Sequence, residues 1–433
     1  MPAATDPPDP AAARTRPALL IVFLVVFIDL LGFGIVLPLL PRYAEKYLGT
    51  FDEATKGLVI GGLFSAFSLM QFVFSPVWGR VSDRVGRRPI LIMGLAGSVV
   101  FYALFGYAST IPTEQYELAL GLLLASRLGA GIAGASVGTA AAVIADSTTP
   151  EKRARGMALI GAAFGIGFTF GPLIAYAALK FFDKEHWAPG VVASALSLVA
   201  LVLAVVLLPE TLKPGPKPER AFFSLGRSRE VLMMPAVGPV VLVYFLVILA
   251  FGNFEGTLAL FTEDVFRLGD DDNFLVFAFV GFVLLVVQGG VYRPLAKRRS
   301  EVALLTLGLG LMLAGLGGVA AVAVGVNQFR AAGGASADQM RPLFYFSVAV
   351  AVAGFAFVNP SLSGLVSRRS DPARQGEVLG VNQGFAALGR ILGPFLGSVL
   401  FFAHPTRVAP YAAAAAVLAG VFALLPAVRR PPA

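Results

Sequence analysis

Three charged side chains stand deep inside long apolar stretches. Asp29 lies in ALLIVFLVVFIDLLGFGIV (Ala18 to Val36), Arg127 in ELALGLLLASRLGAG (Glu117 to Gly131) and Arg390 in GFAALGRILGPFLG (Gly384 to Gly397). A charge in such surroundings costs about 2.5–3.5 kcal/mol even on the most forgiving insertion scale. Residues of this kind therefore face a polar cavity and mark an ion or substrate path. Burial and a nearby guanidinium act in opposite directions on the proton affinity of a carboxyl group. Asp29 with Arg127 is accordingly read as a proton-loading pair, and Arg390 as a residue for substrate or proton coupling. Further polar residues interrupt apolar runs at Asn253, Glu255, Asn359, Asn382 and Gln383, which form a candidate substrate cavity. Glu255 falls near the outer end of its run and so faces either that cavity or the outer interface.

Other chemistries are excluded by what the chain lacks. It contains no cysteine and only two histidines, His186 and His404, both in predicted outer loops. Thiol catalysis, disulfides and Cys/His metal sites are thereby removed. No cofactor is called for, and no loop gathers an acid/base or nucleophile set, so the chain reads as no enzyme.

The elements that hold these residues are membrane helices. Of 433 residues, 57% are hydrophobic and only 14% charged, with a mean hydropathy of +0.79. Soluble domains carry about 25% charge, so lipid is the expected solvent. A helix needs roughly 20 apolar residues to cross the bilayer. Twelve such runs occur, at about 17–41, 57–78, 89–110, 116–145, 155–182 and 187–209, then 235–262, 274–295, 302–326, 342–367, 376–402 and 407–429. The expected division is a tail (1–16), a six-helix bundle (17–210), a linker (211–234) and a second six-helix bundle (235–430). The tails and even-to-odd connections hold 23 of the 34 Lys/Arg, which places both termini and the linker in the cytoplasm by the positive-inside rule. The basic pI near 9.8 thus reports topology and not nucleic-acid binding.

The two bundles repeat one pattern. Pro150, Gly167, Gly171 and Pro172 recur as Pro372, Gly389, Gly393 and Pro394, each 222 residues later. Internal repeats of this kind characterise secondary transporters, whose substrate site lies near the midplane between the repeats.

Four segments carry a family resemblance. GRVSDRVGRRP (Gly79 to Pro89) resembles the loop 2–3 signature of the major facilitator superfamily through Gly79, Asp83, Arg84, Gly86, Arg87 and Arg88. FIDLLGFGIVLPLLPRYAE (Phe27 to Glu45) is similar to the first helix of drug/proton antiporters, the tetracycline-efflux branch above all, through Asp29, Gly32, Gly34, Pro38 and Pro41. The fourth helix matches at Arg127 and Gly131, and the fifth resembles the antiporter motif at Gly165, Gly167, Gly171 and Pro172. That motif's closing Gly-Gly is Ala175-Tyr176 here, and the eighth and ninth helices lack the His and Asp of tetracycline pumps. The sixth helix ends in LPET, Leu208 to Thr211, as is common in the family. The resemblance implies an all-α membrane fold of two pseudo-symmetric six-helix bundles, with Asp83, Arg84, Arg87 and Asp146 as a gating latch.

The implied function is proton-coupled export of small apolar or amphipathic organic compounds by alternating access, as in drug resistance. An uptake or metabolite carrier of the same fold is the alternative, and a non-transporting receptor or enzyme is the alternative of another class. The expected partners are a small-molecule substrate, protons and the lipid bilayer of the plasma (inner) membrane, around a monomer.

Overall fold

The computed structural model describes the backbone of residues 10–148, 150–212, 225–331, 337–371 and 374–429; the side chains of 10–21, 29, 150–162, 164, 225, 227 and 376 fall outside that description. Pro372, the tail to residue 9 and linker residues 213–224 therefore lie outside the described residues, as do the side chains of Asp29 and Pro150. Every regular element among the described residues is helical. Eleven helices are long and apolar enough to cross a membrane, and Gly165–Phe181 adds a shorter apolar stretch at the end of α7 (Pro150–Phe181). The chain is an all-helical, multi-pass membrane protein.

The first group comprises α1 (Pro10–Val36) with its short continuation α2 (Leu40–Tyr47), α3 (Glu53–Val85), α4 (Arg87–Ala108), α5 (Tyr116–Gly134) with α6 (Val137–Ser147), α7 and α8 (Ala188–Leu207). After α9 (Leu225–Met233) come α10 (Gly238–Phe266), α11 (Asp270–Val286) continued by α12 (Arg293–Ala296), α13 (Glu301–Ala331), α14 (Arg341–Arg369), α15 (Gln375–Ala403) and α16 (Ala409–Arg429). Within the first group α1 packs on α7 and α8, and α5 on α3 and α4. Within the second, α13 packs on α14 and α16, and α10 on α15. The groups meet along two seams, α3 against α15 and α7 against α11.

Hydrocarbon supplies no hydrophobic drive between helices, so close packing relies on small residues. The repeated glycines do this at matching places. A Cβ on Gly171 would lie 2.9 Å from the backbone of Gly34 in α1, and one on Gly393 would lie 2.7 Å from the Leu249 carbonyl in α10. Pro172 and Pro394 fall inside their helices beside these contacts, and Gly256 leaves room for the Pro394 ring, to which a Cβ would come within 2.8 Å. Large apolar side chains such as Val202, Val206, Phe282 and Phe346 stay exposed on the outside, where lipid would cover them.

The seams are tight at one end only. Call the end with both termini the terminal end and the opposite one the far end. In the far half of the first seam, Gly57 and Gly61 face Val399 and Phe395, and the Ser65 hydroxyl donates to the Ile391 carbonyl at 2.6 Å. In the second, Gly281 is pressed against Phe168 and Thr169. Past Gly281 the helix loses cover: a Cβ at Gly289 or Gly290 would meet nothing within 4 Å, Val291 is exposed, and Val287–Tyr292 widens into a π-helix. The groups thus converge toward the far end and part toward the terminal end.

Substituting at a close glycine tests this packing against an internal control. Gly171→Ala should cost about 1–3 kcal/mol as overpacking, seen as a lowered thermal midpoint in detergent. Gly165→Ala, where nothing lies within 4 Å of the new methyl, should leave the midpoint unchanged or raised. Equal effects would remove the close α1–α7 contact.

Candidate functional site: a central pocket and two differently built ends

Between the groups lies a pocket that opens to solvent. From the first group Phe33 and Leu37 of α1, Phe64 and Ser68 of α3 and Arg127 of α5 line it. The second group adds Gly252, Glu255 and Gly256 of α10 with Arg390 and Pro394 of α15. Arg127 is roughly 17 Å along its helix at 1.5 Å per residue, and Arg390 is near the midpoint of α15. The glycines of α10 matter twice here: they admit Pro394 behind and leave the pocket open in front.

Arg127 is buried, with its guanidinium 4.8 Å from the centre of the Phe67 ring and its Nε without a hydrogen-bond partner among the described residues. A guanidinium over an aromatic face gains about 2 kcal/mol or more when desolvated. Phe67 in turn stacks 4.8 Å from Phe33, which meets Phe168 edge-on at 5.8 Å. One wall of the pocket is therefore aromatic. Across it Glu255 of α10 and Arg390 of α15 line the same space.

Of the residues expected in the cavity, Glu255 and Arg390 line it, which places Glu255 between the groups and away from the outer interface. The other four stand elsewhere. Asn253 is buried against Gly397 in the α10–α15 contact, its Oδ1 unpartnered among the described residues. Asn359 accepts a 2.8 Å bond from the Tyr244 hydroxyl. Asn382 is buried, with an unpartnered Oδ1 among the described residues, and Gln383 is exposed. Asp29 belongs to α1, but its side chain is outside the described residues, so its distance from Arg127 is not drawn.

The loop 2–3 motif folds as one network at the terminal end. Arg87 pairs with Asp83 at 2.5 Å and with Asp146 at 3.1 Å, and donates to Ser82 Oγ at 2.7 Å. Arg84 is exposed, and Gly79 is buried in α3. Gly86 has φ +119°, a conformation open to glycine, and a Cβ there would strike the Glu210 carboxylate. That carboxylate belongs to the LPET segment and acts as a borrowed helix cap. It accepts the N–H groups of Arg87 (2.9 Å) and Arg88 (3.2 Å) at the start of α4, and those of Thr211 and Leu212 (both 2.9 Å). Arg88 also donates to the Val205 carbonyl at 2.6 Å. In the antiporter motif, Gly167 and Gly171 pack on α1 while Gly165 borders open space.

The far end is closed by ion pairs between the groups, and these were not foreseen. Arg42 of α2 pairs with Asp270 at 2.8 Å and Glu263 at 3.2 Å, and donates to the Leu268 carbonyl at 3.0 Å. Lys180 pairs with Asp271 at 2.9 Å and Arg407 with Glu53 at 3.3 Å. The signal was present as five acids in one connection facing a basic residue next to Pro41. At the terminal end, by contrast, the pairs described above stay inside the first group. Arg374 with Glu377 and Glu230, and Arg368 with Glu301, stay inside the second.

Two helix groups around a central pocket, joined across one end by ion pairs, form a carrier's architecture. The sequence pattern of the Major Facilitator Superfamily matches residues 22–337. The chain belongs to that superfamily. It is 31% identical over 393 residues to the class C tetracycline resistance protein of Escherichia coli, covering 90% of this chain and 91% of that protein. It is 29% identical over 458 residues to major facilitator superfamily domain-containing protein 10 of Bos taurus, covering 96% and 93%. The crystal structure of the human organic anion transporter MFSD10 (TETRAN) superposes with a TM-score of 0.66 at 25% identity, over 97% of this chain and 100% of that one. This superfamily member is a secondary transporter of small molecules and no enzyme.

The Glu210 cap gives a pH test. Burial works to raise its pKa, but the four backbone N–H groups outweigh it and hold the carboxyl below its ordinary 4.5. A depressed carboxyl contributes stability above its unfolded pKa and loses it as pH falls through the folded one. The wild-type thermal midpoint should therefore fall as pH drops below about 4.5, whereas Glu210→Gln should start lower at pH 7 and fall less steeply, since Asp52, Glu53 and Asp271 are also depressed and still titrate. Identical slopes would take the cap out of the account.

Proposed function

We propose that this transporter exports small amphipathic organic compounds across the plasma (inner) membrane in exchange for protons, with both termini cytoplasmic. The observation that carries this reading is the pocket itself: an aromatic wall of Phe33 and Phe64, with Arg127 beside it, facing Glu255 and Arg390 of the other helix group. A compound with an apolar body and a polar head fits such a lining. The printed names of the relatives, tetracycline resistance and organic anion transport, support cargo of that kind. The two groups, 17–210 and 235–430 with 211–234 as linker, would rock about the pocket so that it opens to each side in turn. The basic terminal end supports a cytoplasmic assignment, which makes the present arrangement open inward.

Asp29 with Arg127 is the proposed proton site. Each 100 mV of membrane potential is worth about 2.3 kcal/mol per charge, more than a tenfold concentration ratio at about 1.4 kcal/mol per decade. Asp83, Arg84, Arg87 and Asp146 are the proposed latch, because the Arg87 network with Asp83 and Asp146, and the exposed Arg84 beside it, stand at the terminal end where the opposite group would close.

Inverted vesicles energised with a proton gradient and offered a panel of amphipathic compounds test the assignment. Wild type should accumulate at least one compound, and collapse of the gradient should abolish the accumulation. Asp29→Asn should lose uphill transport yet keep downhill exchange, and Asp83→Asn should slow turnover with binding retained. Proton-dependent accumulation by Asp29→Asn would show that another group carries the proton. Accumulation only in right-side-out vesicles would reverse the direction.

A further inference from the structure

Glu255 has no assigned task in the proton exchange above, yet it shares the pocket with Arg390. No ion pair or hydrogen bond joins the two, and among the described residues Arg390 makes neither with any other group. A guanidinium offers five donors in a planar fork and stays charged at every accessible pH. Held inside a membrane protein, it needs an opposite charge nearby, and among the described residues that line the pocket Glu255 is the acid. Among the described residues, Arg390 therefore stands with its donors free. Its residue remains exposed to the cavity, although α10 and α15 pack closely around its backbone.

We propose that Glu255 is the resident counter-anion of Arg390, and that the anionic head group of a substrate displaces its influence by binding the guanidinium directly. This rests on the reading of the pocket as the cargo site and adds the cargo's charge and the residues that read it. A sulfonate or carboxylate forms two parallel charge-assisted bonds to an arginine fork, which Glu255 at its present separation does not. The incoming group's apolar body is received by Phe33 and Phe64 on the facing wall. Glu255 opposes every such anion by like-charge repulsion, so it sets a threshold: a head group that cannot reach the fork gains nothing to offset that repulsion. Arg127, stacked on Phe67, adds positive potential from the other group and so favours the same sign of cargo. Glu255 is thus a specificity-determining residue, and Arg390 the head-group ligand.

The test uses the purified full-length protein and two probes of one shape, naphthalene-2-sulfonate and 2-naphthylmethanol, with binding measured by calorimetry. The sulfonate remains ionised throughout, so the ligand's own titration plays no part. Glu255→Gln should bind the sulfonate about tenfold more tightly than wild type, since a like charge is removed. Arg390→Gln should bind it at least tenfold more weakly. Neither change should alter the alcohol's affinity by more than about twofold, because the aromatic wall is untouched. Unchanged or weaker sulfonate binding by a Glu255→Gln protein with a wild-type thermal midpoint overturns the proposal. So does wild-type sulfonate affinity in Arg390→Gln, and if that variant does not fold the Glu255→Gln result decides alone. Binding of the alcohol but not the sulfonate by wild type also overturns it while leaving the pocket as the cargo site. Binding of neither probe removes the pocket reading on which it rests.

Discussion

A charge cannot rest in hydrocarbon, and among the described residues three charged side chains line the central pocket of this molecule. Arg127, Glu255 and Arg390 lie on helices whose other faces meet lipid or apolar neighbours. The fold must therefore provide a polar space at mid-depth, and two helix groups leaning together provide it. Everything else follows from making that space without leaving a gap beside it. Gly171 against Gly34, Gly393 against α10 and Gly256 beneath Pro394 bring backbones close behind the pocket so that its front stays open. The aromatic side chains then serve two ends at once, since Phe67 both packs the wall and receives the Arg127 guanidinium.

The two ends of the molecule are held by different physics. At the far end, Arg42, Lys180 and Arg407 reach across to acids of the other group. Such pairs gain little each when exposed, about 0–1 kcal/mol, so the closure is reversible. The Arg42 pair is better sheltered, at 11% side-chain exposure, and is the strongest of the set on geometry. At the terminal end the charges are satisfied at home, Arg87 by Asp83 and Asp146 and the start of α4 by Glu210. One end is thus a clasp between groups, whereas at the other the ion pairs given above lie within each group. A carrier that must open and close needs weak, exchangeable contacts between groups and strong ones within them, and the ion pairs divide in that way.

Much of this was legible in the residues. Long uncharged runs predict helices in lipid, and the repeat at a spacing of 222 led to the equivalence of Gly171 with Gly393, which pack on equivalent helices. Arg390 was legible because a lone arginine amid leucine and glycine has few explanations. Asn253, Asn359, Asn382 and Gln383 were not, because polarity alone does not tell which face of a helix a side chain takes. Asn359 found a partner in Tyr244, and Asn253 turned into the α10–α15 contact. Nor was the clasp legible, since pairing Arg42 with Asp270 requires knowing which loops meet across more than 200 positions of sequence. The LPET acid looked like a boundary marker, and only the fold reveals that it caps a helix begun 123 residues earlier.

The central claim is that the charged pocket is one cavity opened to each side of the membrane in turn. The chain has no cysteine, so a single Ser68→Cys places one thiol on the pocket wall without background. Labelling it with a membrane-impermeant cationic thiosulfonate, added to one face of oriented vesicles at a time, reads access directly. The account predicts modification from both faces in a transporting protein, with Arg42→Gln shifting access toward the far side and bound cargo slowing both reactions. Continued transport with a thiol reachable from one face only, or from neither, would contradict it.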